Sequence, residues 1–421
     1  MMILSIKSFC PIPVLLSILP IWSAMAAPPL SDAELDAAIA RNRQGVIVIR
    51  AKPGAAVSVT QLRHEFWFGA TLPNSVFSGR AAAGDIAKFK EIFLSHFNAG
   101  VTEVAFKWHD LEKEKGKIDF STLDAMLEWA GANSIPLRGH CIFWGIPNRV
   151  MDWQKQLSDE ALRLVVRQHA RMIGARYRGR FAEYDLNNEM IHANYYADRF
   201  GPDFIKQMAL WVKEGDPDAV LYFNDYDIAT GRRLDDYVKD IRRVLDLGTP
   251  MAGIGVQGHL HGDSFDAEAL WNSLEVLSQF KLPIRITEFN FPGQRSKFYK
   301  DRNAEMTPDE ERAKAEALTR YFRICFAHPS VTGIMMWGFW EGANWIRQSS
   351  LYKRDWTPAP AAQAYKDLVL KKWWTNYRGT AGPDGLLAVP AYYGRHRVMV
   401  DGKETVVDLK RAEGSRVISF Q

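Results

Sequence analysis

The sequence predicts an α/β fold, a (β/α)8 TIM barrel with a small β module formed by the N- and C-terminal segments. Eight candidate strands follow one another along the chain, and a helical pattern separates each from the next. This regular alternation favours a closed barrel over a doubly wound sheet. Further strand patterns at both ends of the chain predict the β module. The barrel strands are predicted at residues 66–69, 103–108, 137–144, 182–187, 221–225, 253–257, 284–288 and 332–337.

Two of the intervening helices have clear start signals. Ser158 precedes two acidic residues, and apolar side chains then recur at the helical period over residues 161–177. Thr307-Pro308-Asp309-Glu310 combines a capping box with a proline in the first turn, and it begins a helix that ends near residue 326. The other helices are predicted at 85–97, 122–132, 202–213, 233–247, 267–280 and 361–372.

The N-terminus has the pattern of a secretory signal peptide over residues 1–26. Lys7 gives a basic start, residues 12–21 form a short apolar run, and Ala24-Met25-Ala26 is a small-residue cleavage site. We therefore expect a secreted or periplasmic protein. No later stretch has the length and apolar character of a membrane span.

Three further segments are predicted in the mature chain. Residues 27–65 form an N-terminal extension with short strands, residues 66–374 the barrel, and residues 375–421 a C-terminal β extension that packs with the N-terminal strands. The extensions carry a helix at 31–41 and strands at 46–49, 56–60, 392–400, 405–409 and 416–420, with Asp401-Gly402 as a hairpin turn.

Composition excludes several classes of protein. Among 421 residues, 47% are hydrophobic and 24% charged, as in ordinary globular proteins, and a net charge of +4 is too small to indicate a nucleic-acid partner. The 14 tryptophans suit the stacking of sugar rings, although packing is the default role of any one of them. No cluster of Cys and His residues has metal-ligand spacing, so we expect no metal. We also expect no cofactor, and we expect a monomer. Cys141 and Cys325 lie in apolar segments and are predicted to be buried thiols.

Polar residues gather where the predicted barrel strands end, the place where barrel enzymes hold their catalytic groups. Two of these residues are glutamates: Glu189 follows the fourth strand, and Glu288 ends the seventh. Each alone is more simply a polar loop entry, but two on one rim indicate a pair of catalytic carboxyls. The other residues on this rim are Lys107, Trp108, His140, Trp144, Asn188, Asn224, Asp225, Tyr226, Gln257, His259 and Trp337.

These segments resemble glycoside hydrolase family 10, the retaining endo-β-1,4-xylanases, over about residues 46–374. Residues 184–189, Tyr-Asp-Leu-Asn-Asn-Glu, are similar to the acid/base motif Trp-Asp-Val-Val-Asn-Glu. Residues 286–290, Ile-Thr-Glu-Phe-Asn, are similar to the nucleophile motif Ile-Thr-Glu-Leu-Asp. Residues 139–144 resemble Gly-His-Thr-Leu-Val-Trp, and residues 255–259 match Gly-Val-Gln-Gly-His outright.

The resemblance implies a role for each of these residues. Glu189 would be the acid/base and Glu288 the nucleophile of a double displacement on xylan, a polysaccharide substrate. Asn188 would hydrogen-bond the sugar 2-hydroxyl. The remaining residues would bind substrate: Glu103, Lys107, His140, Trp144, Asn224, Tyr226, Gln257, His259, Trp337 and Trp345.

Three departures from the family pattern affect the surrounding residues. Val104 stands where the family usually has an asparagine that binds a sugar on the non-reducing side. Gly145 replaces a histidine after Trp144 and is expected to open the rim. Asn290 replaces the aspartate that supports the histidine beside the nucleophile; an amide can hold that hydrogen bond but contributes no charge.

Two alternatives remain open from the sequence. Val104 and Gly145 favour the same chemistry on another β-glycan or on short xylo-oligosaccharides. A sugar-binding protein without hydrolysis is the other, but such a protein has no need for a matched acid and nucleophile.

Overall fold

The structure, a computed structural model, describes residues 30–260, 262 and 264–420. The predicted signal peptide lies outside these residues. The strands of the described chain are β1 (Gln44–Arg50), β2 (Ala56–His64), β3 (Trp67–Leu72), β4 (Ala99–Thr102), β5 (Leu137–Gly139), β6 (Phe143–Trp144), β7 (Glu183–Asn188), β8 (Leu221–Asp225), β9 (Gly253–Val256), β10 (Ile284–Phe289), β11 (Val331–Met336), β12 (Asn376–Thr380), β13 (Leu386–Tyr392), β14 (Gly394–Val400), β15 (Lys403–Leu409) and β16 (Ser415–Ser419).

The helices follow the predicted alternation, and both start signals are confirmed: Ser158 and Thr307 each cap a helix with the side-chain oxygen. The helices are α1 (Asp32–Arg43), α2 (Asn74–Phe77), α3 (Ala83–His96), α4 (Trp108–Leu111), α5 (Ser121–Ala132), α6 (Asp152–Lys155), α7 (Asp159–Arg176), α8 (Tyr195–Phe200), α9 (Phe204–Gly215), α10 (Leu234–Asp246), α11 (Ala267–Ser278), α12 (Lys297–Lys300), α13 (Pro308–Ala327) and α14 (Pro360–Tyr365), which continues into a π-helical turn (Lys366–Lys372).

A closed parallel barrel of eight strand positions forms the centre of the fold, as predicted. The hydrogen-bonded order is β3-β4-β5-β7-β8-β9-β10-β11, and β11 pairs with β3 to close the ring. β6 continues the third position after a break in β5 and also pairs with β7. The carboxyl ends of all these strands lie at one face, which we call the barrel mouth.

The second barrel strand was predicted wrongly at 103–108. The strand is β4, whose Ala99 and Gly100 give little apolar signal. Gly100 lies close to the neighbouring strand, since an added Cβ would lie 2.6 Å from a methyl of Leu137. Residues 103–107 alternate like a strand, but the amide of Lys107 donates to the carbonyl of Val104 at 2.9 Å, so this segment turns at the mouth.

The two ends of the chain build the small β module, as predicted. β1 pairs with β13 and β16, while β2 pairs with β12 and β14, so each N-terminal strand lies between C-terminal strands. Two strands were missed: β12 and most of β13. Both are edge strands, where Gly379 and Pro390 are tolerated.

The module has its own apolar core, separate from the main one. Side chains such as Ile47, Val59, Val389 and Val398 are fully buried within it. The main core fills the space between the barrel and its helices. Among the described residues, no helix has the length and apolar composition needed to cross a bilayer.

Candidate active site

Backbone hydrogen bonds at the mouth fix both predicted catalytic glutamates. Glu288 is the fifth residue of β10, and its amide donates to the carbonyl of Gln257 at 2.6 Å. Glu189 follows β7 directly, its amide donates to the carbonyl of Asn224 at 2.9 Å, and its φ of 62° ends the strand. The two carboxyls are therefore carried by the ends of the fourth and seventh barrel positions.

The carboxylate of Glu288 is buried and surrounded by positive or donating groups. Asn224 Nδ2 donates to Oε1 at 2.9 Å, and His259 Nε2 lies 3.1 Å from Oε2. Burial by itself raises the pKa of this carboxyl. The charge of His140 at 3.7 Å and the hydrogen bond to His259 outweigh burial, with help from Lys107, and lower the pKa to about 2. Glu288 is therefore ionised at neutral pH.

Glu189 is partly buried and receives hydrogen bonds from uncharged donors. Trp144 Nε1 donates to Oε2 at 2.9 Å, and Gln257 Nε2 donates to Oε1 at 3.0 Å. The two donors hold the carboxyl plane in one orientation without placing a formal charge against it.

A chain of amide side chains links the two carboxyls. Asn188 Oδ1 accepts from Asn224 Nδ2 at 2.9 Å and from Gln257 Nε2 at 3.4 Å. Asn224 Oδ1 in turn accepts from Thr287 Oγ1 at 2.6 Å. Because Oδ1 of Asn188 is occupied by two donors, its Nδ2 is left to donate to a ligand.

The two histidines beside Glu288 are each held by a second residue. His140 Nδ1 is hydrogen-bonded to Asp185 Oδ2 at 2.8 Å, and Asp185 also binds Arg138. His259 Nδ1 lies 2.9 Å from Asn290 Oδ1, so the amide does hold the histidine.

Aromatic side chains form one wall of the mouth. Trp337 lies edge-on to His140 at 5.2 Å, and Trp345 packs against His259 at 5.3 Å. Sequence reasoning missed Tyr299, whose ring meets Trp345 edge-on at 5.6 Å and is 39% exposed. Tyr299 lies on α12, a short helix without a motif that could have identified it.

Lys107 and Glu103 lie near each other, beside Trp144 and Trp337. Lys107 Nζ is 4.5 Å from the ring centre of Trp144 and 5.7 Å from that of Trp337. Burial raises the pKa of Glu103 to about 7, and the charge of Lys107 opposes the rise only in part. Val104, the residue after Glu103, is half-buried and offers no polar side-chain group to a ligand.

Tyr226 follows β8 and is stacked face to face with His192, a residue that sequence reasoning missed. The ring centres lie 3.5 Å apart with 4° between the planes. His192 is three residues after Glu189 in the same loop, so only its proximity to that motif could have indicated it.

Gly145 does not open the rim, contrary to expectation. It is buried, and its carbonyl accepts from the amide of Tyr195 at 2.7 Å. An added Cβ would lie 2.9 Å from Asn194 Oδ1 and 3.3 Å from Asn194 Cα. The loop after Glu189 therefore occupies the space that a side chain at residue 145 would need.

The structure brings Trp144, Asn224, Gln257, His140 and His259 into contact with one of the two glutamates, whereas Trp108 packs against His169 and Trp153. Within the part of the chain described above, no group of three or more His, Cys, Asp or Glu side chains is arranged to hold a metal ion.

A (β/α)8 barrel with carboxyls at the ends of its fourth and seventh strands has the architecture of a class of glycoside hydrolases. The chain belongs to glycosyl hydrolase family 10, because the model of that family matches residues 60–368.

Several relatives are similar to the chain. The anti-sigma-I factor RsgI6 of Acetivibrio thermocellus is 33% identical over 373 residues, 87% of this chain and 46% of that protein. Endo-1,4-beta-xylanase 1 of Arabidopsis thaliana is 31% identical over 82% of this chain and 34% of its own length. The chain thus spans less than half of these curated relatives. Xylanase 10B from Thermotoga petrophila RKU-1 in complex with xylobiose is 25% identical, has a TM-score of 0.65, and covers 73% of this chain and 95% of its own.

The coverage also bears on the β module. Residues 60–368 are 309 of the 421 residues, yet the alignments with the two curated relatives take in 87% and 82% of the chain. Both relatives therefore share part of the terminal segments.

Proposed function

We propose that the chain is a retaining glycoside hydrolase that cleaves internal β-1,4-xylosidic bonds of xylan. In the first step, the carboxylate of Glu288 attacks the anomeric carbon. The bond from that carbon to the glycosidic oxygen breaks, and the leaving oxygen takes a proton from Glu189. The product is a glycosyl ester on Glu288.

In the second step, Glu189 takes a proton from water, and the water oxygen attacks the same carbon. The ester bond breaks, Glu288 leaves as a carboxylate, and the sugar regains its original configuration. This double displacement requires the two carboxyl groups to be ~5–5.5 Å apart.

The different surroundings of the two carboxyls are the observation that supports this assignment. Glu288 lies against His140, His259 and Lys107, which lower its pKa to about 2, so it is available as an anionic nucleophile. Glu189 has only the neutral donors of Trp144 and Gln257, which suits a group that must give up and regain a proton. Asn188, whose Oδ1 accepts from Asn224 and Gln257, would use its Nδ2 to donate to the 2-hydroxyl.

The substrate is proposed from the family and from the aromatic wall of Trp337 and Trp345. The named relatives include endo-1,4-beta-xylanases, which supports xylan. Val104 favours an alternative, the same chemistry on short xylo-oligosaccharides or on another β-glycan, because it cannot hydrogen-bond a sugar one place further from the cleaved bond.

A substrate panel tests the proposal. The protein is incubated with xylan, mannan, β-glucan and short xylo-oligosaccharides, and the products are identified. We expect xylan to be cut internally, and Glu288→Ala to abolish hydrolysis. Glu404→Ala is the matched control, because this carboxylate is exposed on the β module. Cleavage of another glycan with xylans left intact would show the substrate to be wrong.

We also propose export by the predicted signal peptide. The N-terminal sequence of the protein recovered from the producing cells is expected to begin near Ala27, and recovery with residues 1–26 in place would contradict it.

A further inference from the structure

Arg149 lies in the mouth loop that follows β6, and its guanidinium is placed over the ring of Trp144, 4.9 Å from the ring centre. Trp144 is the residue whose Nε1 donates to Glu189 Oε2. The guanidinium and the proposed acid/base therefore contact the same indole ring. A group bound by Arg149 would lie beside the residue that holds Glu189.

The donors of this guanidinium are unused. Within residues 30–260, 262 and 264–420, its side chain has neither a hydrogen-bond acceptor nor a carboxylate at ion-pair distance, and Arg149 is exposed. Several other cations of the mouth loops are paired with carboxylates: Lys113 with Asp110, Arg233 with Asp236, and Arg347 with Glu305.

Nearby charges reinforce the positive potential around Trp144. Lys107 lies 4.5 Å from the same ring. Burial and then the charges of Lys107 and Arg149 lower the pKa of His109 to about 4, so this ring is neutral at pH 7. Asp110 is already engaged by Lys113 and by Asn74 Nδ2 at 3.0 Å.

Resting on the proposed function, we propose that Arg149 recognises a carboxylate on the substrate, so that the favoured xylan carries uronic-acid side groups near the cleaved bond. A guanidinium binds a carboxylate through two parallel hydrogen bonds. Contact with the indole holds the planar fork in place, so less side-chain freedom is lost on binding. Among the groups of a decorated xylan, a uronic acid supplies the negative charge that these donors require.

The experiment measures the ratio of kcat/KM on a glucuronic-acid-bearing xylan to kcat/KM on linear xylohexaose. Arg149→Met keeps the aliphatic contact with Trp144 and removes the charge, and we expect it to lower the ratio about fivefold. Arg149→Lys should retain an intermediate ratio. Arg302→Met is the matched control, since Arg302 is also an exposed arginine of a mouth loop, in the connection between β10 and α13, and it should leave the ratio unchanged.

Salt provides a second readout. Because the contact is electrostatic and exposed, raising the salt from about 0.05 to 0.5 M should lower the wild-type ratio but not that of Arg149→Met. Equal ratios in the wild type and Arg149→Met would overturn the inference and leave Arg149 as packing for Trp144. Hydrolysis of neither substrate by the wild type would overturn the proposed function, and this inference with it.

Discussion

The mouth of the barrel and its floor hold carboxylates on the same strands, but these carboxylates have different partners. We call Arg138, Glu183, Asp185 and Arg285 the floor. Glu183 accepts from Arg285 Nη2 at 2.8 Å and also binds Arg138, which in turn contacts both oxygens of Asp185. Two guanidinium groups thus balance two carboxylates, and all four side chains are buried.

At the mouth, the side-chain hydrogen bonds to Glu189 and Glu288 come from amides, an indole and an imidazole instead. β7 begins at Glu183 and ends just before Glu189, so one strand carries a structural and a proposed catalytic glutamate. A guanidinium fixes a carboxylate as an anion: despite burial, Arg285 and Arg138 lower the pKa of Glu183. The difference teaches that the partners of a carboxyl, more than its burial, indicate whether it can exchange a proton.

The sharpest test of this comparison is Glu189→Gln. We expect kcat/KM on xylan to fall by about 10²–10⁴-fold, because the leaving oxygen loses its proton donor. The loss should be much smaller on an aryl xylobioside whose phenolate leaves without protonation. Equal losses on both substrates, measured by steady-state kinetics, would show that Glu189 is not the acid. Thermal unfolding should be little changed.

Glu183→Gln is the matched change at the floor of the same strand. It leaves two buried guanidiniums without full compensation, and we expect the free energy of unfolding to fall by about 3–5 kcal/mol. Urea denaturation measures this. Glu404→Gln is the control, since its pair with Arg397 is exposed and should contribute less than about 1 kcal/mol. A Glu183→Gln variant as stable as the wild type would remove the proposed distinction.

Two carboxyls of the mouth should make the stability of the protein depend on pH in opposite ways. The pKa of Glu103 is raised from 4.5 in the unfolded chain to about 7 in the folded protein. Between these two pH values the carboxyl is ionised in the unfolded chain but protonated in the folded protein, so stability falls as pH rises. Glu103→Gln should abolish this fall of about 1–3 kcal/mol. The pKa of Glu288 is lowered to about 2, so the stability it contributes is present above pH 4.5 and is lost as pH falls towards 2.

Unfolding measured across pH 2–8 in Glu103→Gln and Glu288→Gln separates the two contributions. We expect the first variant to differ from the wild type mainly between pH 4.5 and 7, and the second mainly between pH 2 and 4.5. The same pH dependence in both variants would contradict their different surroundings.

A change at Gly145 tests the packing of the rim. Gly145→Ala places a methyl against Asn194 and should lower stability by about 1–3 kcal/mol, with lower activity because the loop from Glu189 must move. Gly131→Ala is the control, because nothing lies within 4 Å of its added Cβ on α5. That change should be neutral or stabilising by up to about 1 kcal/mol. Unchanged stability and activity in Gly145→Ala would show that the rim is open at this residue.

Sequence reasoning predicted the parts of the molecule that depend on local patterns. Strand-helix alternation and caps such as Thr307 predicted the barrel, and the motifs predicted which glutamates lie at the mouth. It failed where the cause is a contact between distant segments. Gly145 is small because Asn194 lies against it, and β4 is marked by the close approach of Leu137 rather than by apolar residues. Tyr299 reaches the mouth on α12, a helix too short to give a periodic pattern.

Covalent trapping tests directly whether Glu288 is the nucleophile. A 2-deoxy-2-fluoro xylobioside with a good leaving group should form a glycosyl-enzyme that accumulates, because the fluorine slows its hydrolysis. Intact-mass and peptide analysis should find one added xylobiosyl group on Glu288. A label on another residue, or turnover without any covalent adduct, would contradict the retaining mechanism proposed for this chain.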